Sequence, residues 1–269
     1  MLAYDKKQIG RIHRILIPAV IFTAAVLLGR MDTIMADFGQ SGPLAAGKAL
    51  SFAFESLTTG NALLVAPVIC AFPYGAACID EVKYGMFKNV LYRTDKASYI
   101  HSKAAACMLS GAVTLMGAAL LVILISAVLL MPLETASGTA NAAQAADIAD
   151  TAGAAGEIAQ SYEIQQLIGL VFRYGCFGAV WSLVGMLLSL WTFNRMMAWI
   201  GPFIVDYLLE IVYERYCDAL KLLYPKEWLV MSWSWPLKDW GICLWLLLLA
   251  GMIYLVVRRT GMRCLERVV

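Results

Sequence analysis

The feature that most restricts this chain is how its charge is segregated. Long apolar blocks alternate with short polar stretches that hold most of the Lys, Arg, Asp and Glu. A soluble amphipathic helix would instead carry charge along one face of every block. Uninterrupted apolar blocks of this kind can cross hydrocarbon. Composition agrees: 61% of the 269 residues are hydrophobic and 15% are charged, whereas soluble domains run near 45–50% and about 25%. The expectation is an all-α integral membrane protein forming a single transmembrane domain over residues 1–269, with six transmembrane helices at about 15–29, 62–79, 104–131, 167–193, 197–213 and 240–257.

The polar stretches give the expected orientation. Lys6, Lys7, Arg11 and Arg14 precede the first span, and Ile9 and Ile12 interleave with them, so an N-terminal interfacial helix is expected. Lys83, Lys88, Arg93, Lys96 and Lys103 sit between the second and third spans, Arg195 in the tight turn between the fourth and fifth, and Arg258, Arg259, Arg263 and Arg267 after the sixth. These make fourteen of the 21 basic residues. The Ala- and Gly-rich stretch 132–163 has none, and its low complexity reads as a mobile outer loop. Both termini are therefore expected in the cytosol, in a multi-pass protein of the cytoplasmic membrane. The start of the chain resembles a signal peptide but has no small-x-small cleavage site before Arg30, which favours a retained first span. Residues 31–60 read as an outer connection with an amphipathic piece at 44–57, and Pro67 and Pro73 predict a kink in the second span.

Catalytic motifs are lacking. No GxxxxGK[ST], HExxH or GxSxG occurs, no CxxC pair exists among seven Cys, and there are only two His. The chain is not expected to be an enzyme or to bind a cofactor or metal, and no nucleic-acid partner is expected. The cysteines, mostly inside apolar runs, read as small buried hydrophobes.

Three groups of residues remain as candidates. Residues 80–103, DEVKYGMFKNVLYRTDKASYIHSK, place apolar residues at helical spacing among basic ones, which predicts a short amphipathic helix over Val82–Arg93. Its contact residues would be Val82, Met86, Phe87, Val90 and Leu91, with Lys88 and Arg93 at the rim. Arg173 lies inside the fourth span, and Asp206 and Glu210 lie one turn apart inside the fifth at matching depth. Charges in hydrocarbon pair or face water, so these form either an interhelical ion pair or a polar lining of a path. In the third span, Ser110, Gly111, Gly117 and Ala118 offer a small-residue face. Trp228, Trp233 and Trp235, in the aromatic stretch 214–238, read as interfacial anchors or as a re-entrant element at the outer mouth.

Residues 73–121, PYGAACIDEVKYGMFKNVLYRTDKASYIHSKAAACMLSGAVTLMGAALL, resemble the membrane subunit of type-2 ABC exporters, the ABC-2-type permeases. Glu81, Gly85, Lys88, Leu91, Arg93, Tyr99, Lys103 and Ser110-Gly111 carry that resemblance. It implies a permease driven by a separate ABC ATPase subunit, which would hold the ATP and Mg. The stretch around Val82–Arg93 would be the coupling helix. A second permease subunit, identical or different, would complete the path, and residues 214–236 would form outer helices dipping into the bilayer. The spans lack a large aromatic track of the kind that would suit polysaccharide, so a peptide, drug or lipid-like substrate is expected. An ion-coupled secondary transporter using Asp206 and Glu210, or a non-transporting assembly or sensor subunit, are the alternatives.

Overall fold

The computed structural model describes residues 12–32, 46–58, 60–85, 95–130, 142–216, 224–229 and 239–268. Within them the chain is all helical: α1 Ile12–Leu28, α2 Ala46–Thr58, α3 Gly60–Ala71, α4 Ala77–Lys83, α5 Lys96–Leu130, α6 Ala142–Thr192, α7 Arg195–Tyr216, α8 Pro225–Leu229 and α9 Asp239–Val268.

Four helices are long and apolar enough to cross a membrane: Lys96–Val128, Gln166–Thr192, Arg195–Arg215 and Trp240–Cys264. The pair Phe52–Thr58 and Ala62–Ala71, bent by 71°, makes a fifth if counted as one span. The second span expected at 62–79 is thus shorter than the sequence predicts. Its helix ends at Ala71, and a turn over Phe72–Ala76 containing Pro73 leads into α4. Proline lacks an N–H and restricts the residue before it, so a helix readily stops there. At a rise of about 1.5 Å per residue, α3 alone is far shorter than the roughly 30 Å hydrocarbon layer. Where the first span is expected stands the 17-residue α1, with Pro18 inside, an apolar helix shorter than those four. The stretch read as a mobile outer loop is instead helical from Ala142 onward and runs without a break into the fourth span. Alanine, the strongest helix former, dominates it. The basic tail likewise continues α9 to Val268.

The Gln166–Thr192 part of α6 is the axis of the bundle. Its apolar window is 83% buried, against 22–39% for the other three spans. Helices α5, α9, α7 and α3 pack around it. Close approach is built on glycine: a Cβ on Gly178 would lie 2.5 Å from the Gly111 carbonyl oxygen of α5, and one on Gly185 would lie 2.6 Å from the Ala198 carbonyl oxygen of α7. Of the small-residue face expected on the third span, Gly111 makes this contact, whereas Gly117 has open space beside it. The outer helices turn large apolar side chains outward, including Leu109, Leu120 and Leu124 on α5 and Leu244, Leu248 and Met252 on α9. So much exposed apolar surface suits lipid rather than water.

The turns between spans have local causes. The α6–α7 turn passes through Phe193, with a positive φ of 52°, and the Asn194 Oδ1 then accepts the Met196 N–H at 3.1 Å, capping α7. Contacts gather two ends. One holds the start of α1, the 72–76 turn, α4, the start of α5, the α6–α7 turn and the tail of α9. The other holds the Arg30–Glu55 pair at 2.6 Å and the short α8.

Candidate functional site

Helix α4 and the first turns of α5 form a braced junction at the first of these ends. Seven residues make α4, and Cys78, Ile79 and Val82 bury one side of it against the bundle. The helix stops where Gly85 takes a φ of +68°, a left-handed conformation that costs glycine little. The Tyr84 N–H then bonds the Asp80 carbonyl, and the Gly85 N–H bonds the Val82 carbonyl. Of the helix expected over Val82–Arg93, only its first residues are described: Val82 and Lys83 close α4, which starts at Ala77 and stops before Gly85, and 86–93 lie outside the described residues.

Beside α4 lies a fully buried lysine. Lys103 Nζ donates to Glu81 Oε1 at 2.7 Å and to the Tyr74 hydroxyl at 3.1 Å. The Tyr99 hydroxyl donates to Glu81 Oε2 at 2.7 Å. The rings of Tyr74 and Tyr99 flank the ammonium at 5.6 and 5.8 Å. Tyr99 and Lys103 are four apart on α5 and so share a face. The Lys103 side chain is 0% exposed and that of Glu81 13%. Desolvating such a pair offsets much of its attraction, so its effect is to fix one arrangement more than to add stability. Next to it, burial above all, with Glu81 adding to it, pushes the Cys78 thiol up to about 12. Asp80, on the same helix, faces Arg195 at the start of α7 at 3.8 Å. Helix α4 is thereby tied to α5 and α7 at once. The segment between Gly85 and Asp95 leaves and re-enters from fixed points, since the Tyr99 N–H also bonds the Asp95 carbonyl.

Of the expected contact residues, Val82 is 6% exposed and packs within its own chain. Met86, Phe87, Lys88, Val90, Leu91 and Arg93 lie outside the described residues, as do Trp233, Trp235 and all but the last three residues of the interfacial segment expected at 3–14. Trp228 is described. It lies in α8, 2% exposed, with its ring edge-on to Phe177 of the axial helix at 6.3 Å. It is a packed residue of the bundle and not an exposed anchor.

The intramembrane charges are all present but partnered differently from the expectation. Arg173 on α6 is 2% exposed and Asp206 on α7 is 6% exposed. Glu210 pairs with Lys226 of α8. No ion pair joins Arg173 to Asp206 or Glu210 among the described residues. The reason is the fold of 224–229, which brings Lys226 back against α7 and supplies a cation the sequence placed in an outer loop. Asp206 Oδ1 is buried with no hydrogen-bond partner among the described residues. Asp206, Glu210 and Lys226 border a void of about 10 Å³, room for a single water.

In the sequence, Glu81, Tyr99 and Lys103 stand out as bearers of a resemblance, and Lys103 also as one of the basic residues between the second and third spans. Their contact was foreshadowed by a lysine inside the apolar start of α5, one turn after a tyrosine and soon after an acid. Tyr74 and Lys226 carried no such signal, because each reaches its partner through a turn. Among the described residues no group of three or more His, Cys, Asp or Glu could hold a metal. Comparison with family models, curated proteins and solved structures gave no match to this chain.

Proposed function

We propose that this chain is the membrane-spanning permease subunit of an ATP-driven exporter, powered by a separate soluble ABC ATPase that docks on the segment between Gly85 and Asp95. The observation that carries the proposal is the buried Glu81–Lys103 pair with its two tyrosines, which braces the root of that segment against α5. An ATPase moves a permease through a rigid contact, since a loose loop would absorb the displacement. Here a push on residues 86–94 enters α4 and α5 together, and α5 packs along the axial helix.

The braced end also gathers Arg14, Lys83, Lys96, Arg195, Arg258, Arg259 and Arg263, which supports a cytosolic placement for it and for both termini. A second permease subunit, identical or different, would complete the path, and the substrate class is peptide, drug or lipid-like. One observation favours a second reading: Asp206, a buried carboxylate in α7 beside Glu210 and Lys226, suits an ion-coupled transporter.

The test is a photo-crosslinking residue placed at Phe87, with Asp150 as the control position. The proposal predicts that Phe87 captures a protein that hydrolyses ATP and carries a phosphate-binding loop, and that the Asp150 position does not. Transport by the purified chain alone, driven by an ion gradient and abolished by Asp206→Asn, would replace this reading with the second one.

A further inference from the structure

We infer that the cleft between the start of α1 and the start of α7 binds the phosphate of an anionic phospholipid headgroup. This goes beyond the transport proposal and does not depend on it. The cleft has a volume of about 300 Å³, at the lower end of the range of about 300–1,000 Å³ usual for ligand pockets. It takes a headgroup and not a whole lipid.

Its rim is basic: His13 and Arg14 come from α1 and Arg195 from α7. Asp80 is the one acid lining it among the described residues, and it stands 3.8 Å from Arg195. That separation is too long for a hydrogen bond, so the guanidinium keeps donors for an incoming phosphate. The guanidinium is also held in place, lying 4.9 Å over the Trp199 ring, which stacks on Phe72 at 5.0 Å and 24°. A planar fork held on an aromatic shelf is preorganised for a phosphate oxygen pair.

The other wall is apolar. Ile17 and Phe72 line the cleft, and with Ile21 one turn further along α1 they are about half exposed. Acyl chains attached to a phosphate in the cleft would lie along that side. The cleft also sits where the apolar helices α1 and α7 begin, so a bilayer around the bundle would set its phosphates near it. Basic pockets between membrane helices are suited to such headgroups. A free phosphate offers the same recognised chemistry without the chains, and the experiment separates the two.

The purified protein in phosphatidylcholine nanodiscs is titrated with phosphatidylglycerol brominated on its acyl chains. Tryptophan quenching is compared between the wild type and Trp199→Phe to isolate the Trp199 signal. Saturable quenching of Trp199 by the anionic lipid is expected, with brominated phosphatidylcholine much weaker. Arg14→Gln and Arg195→Gln should each weaken the effect by about fivefold, the scale of one basic contact at a membrane surface. Arg195→Lys should restore part of it. Asp80→Asn should strengthen binding, a gain that a misfolded variant cannot mimic. Arg258→Gln, at the same end but outside the cleft, should change nothing. Displacement by millimolar inorganic phosphate would reassign the site to a free phosphate and overturn the lipid assignment. Equal quenching by both lipids, or an Arg258→Gln defect equal to that of Arg195→Gln, would show only general surface attraction and overturn the site altogether.

Discussion

Replacing Glu81 by Gln removes the carboxylate that pairs with the Lys103 ammonium, which is 0% exposed. At 2.7 Å and an effective dielectric near 20, the gross attraction lost is about 6 kcal/mol. Desolvation of both ions in the native protein offsets part of this. Removing one partner of a buried pair costs about 3–5 kcal/mol, because the other stays buried and uncompensated. For a domain of this size that lowers Tm by roughly 6–20 °C. Lys103→Met should cost less, since Glu81 retains the Tyr99 hydroxyl and some access to water. The double variant, with Met filling much of the lysine's volume and no charge left, should lie within about 1 kcal/mol of the wild type. Thermal unfolding in detergent, followed by intrinsic fluorescence for all four proteins, closes the double-mutant cycle. A Glu81→Gln cost below about 1 kcal/mol, or strict additivity of the two single changes, would refute the reasoning that these groups form one buried unit.

Gly178→Ala should destabilise by about 1–3 kcal/mol, since the added methyl meets the Gly111 carbonyl at 2.5 Å; Gly117→Ala, with open space beside it, should be within about 0.5 kcal/mol of neutral in the same unfolding assay. Cys78 is buried, and its thiol is pushed up to about 12, so the thiolate is scarce at pH 7–8 and should resist maleimide in the folded protein. Because that pKa is raised above the usual thiol value, reactivity should climb only as pH approaches 12; rapid labelling at pH 7.5 would contradict its burial. A cysteine introduced by Asp150→Cys in a Cys-free background should react with impermeant reagents from outside the cell, whereas labelling from the cytosol alone would invert the proposed topology.

The all-helical fold class and the longest apolar helices were legible because each rests on local pattern. The blocks around Leu167–Leu190 and Leu244–Val257 announce helices whichever neighbours they meet. The helix boundaries were less legible. The second span stops at Ala71 because Pro73 and the turn after it prevail over a hydrophobic run that continues to Ile79. The alanines after residue 142 looked like low complexity, yet they extend α6 by their intrinsic helix preference. Side-chain partnership was least legible. Matching depths of Arg173, Asp206 and Glu210 are a one-dimensional argument, and they give no hint that α8 would fold Lys226 onto Glu210. The Glu81–Lys103 pair, by contrast, lies close enough in sequence for a helix, a turn and another helix to bring it together.

The most direct test of the transport proposal is ATP-driven transport in proteoliposomes that hold the proposed ATPase together with either this chain or its double variant Phe87→Asp with Val90→Asp. The account predicts that the variant inserts normally but either releases the ATPase or hydrolyses ATP without moving substrate. Normal transport by the variant, with the ATPase still bound, would place the docking surface elsewhere and leave residues 86–94 as a surface anchor.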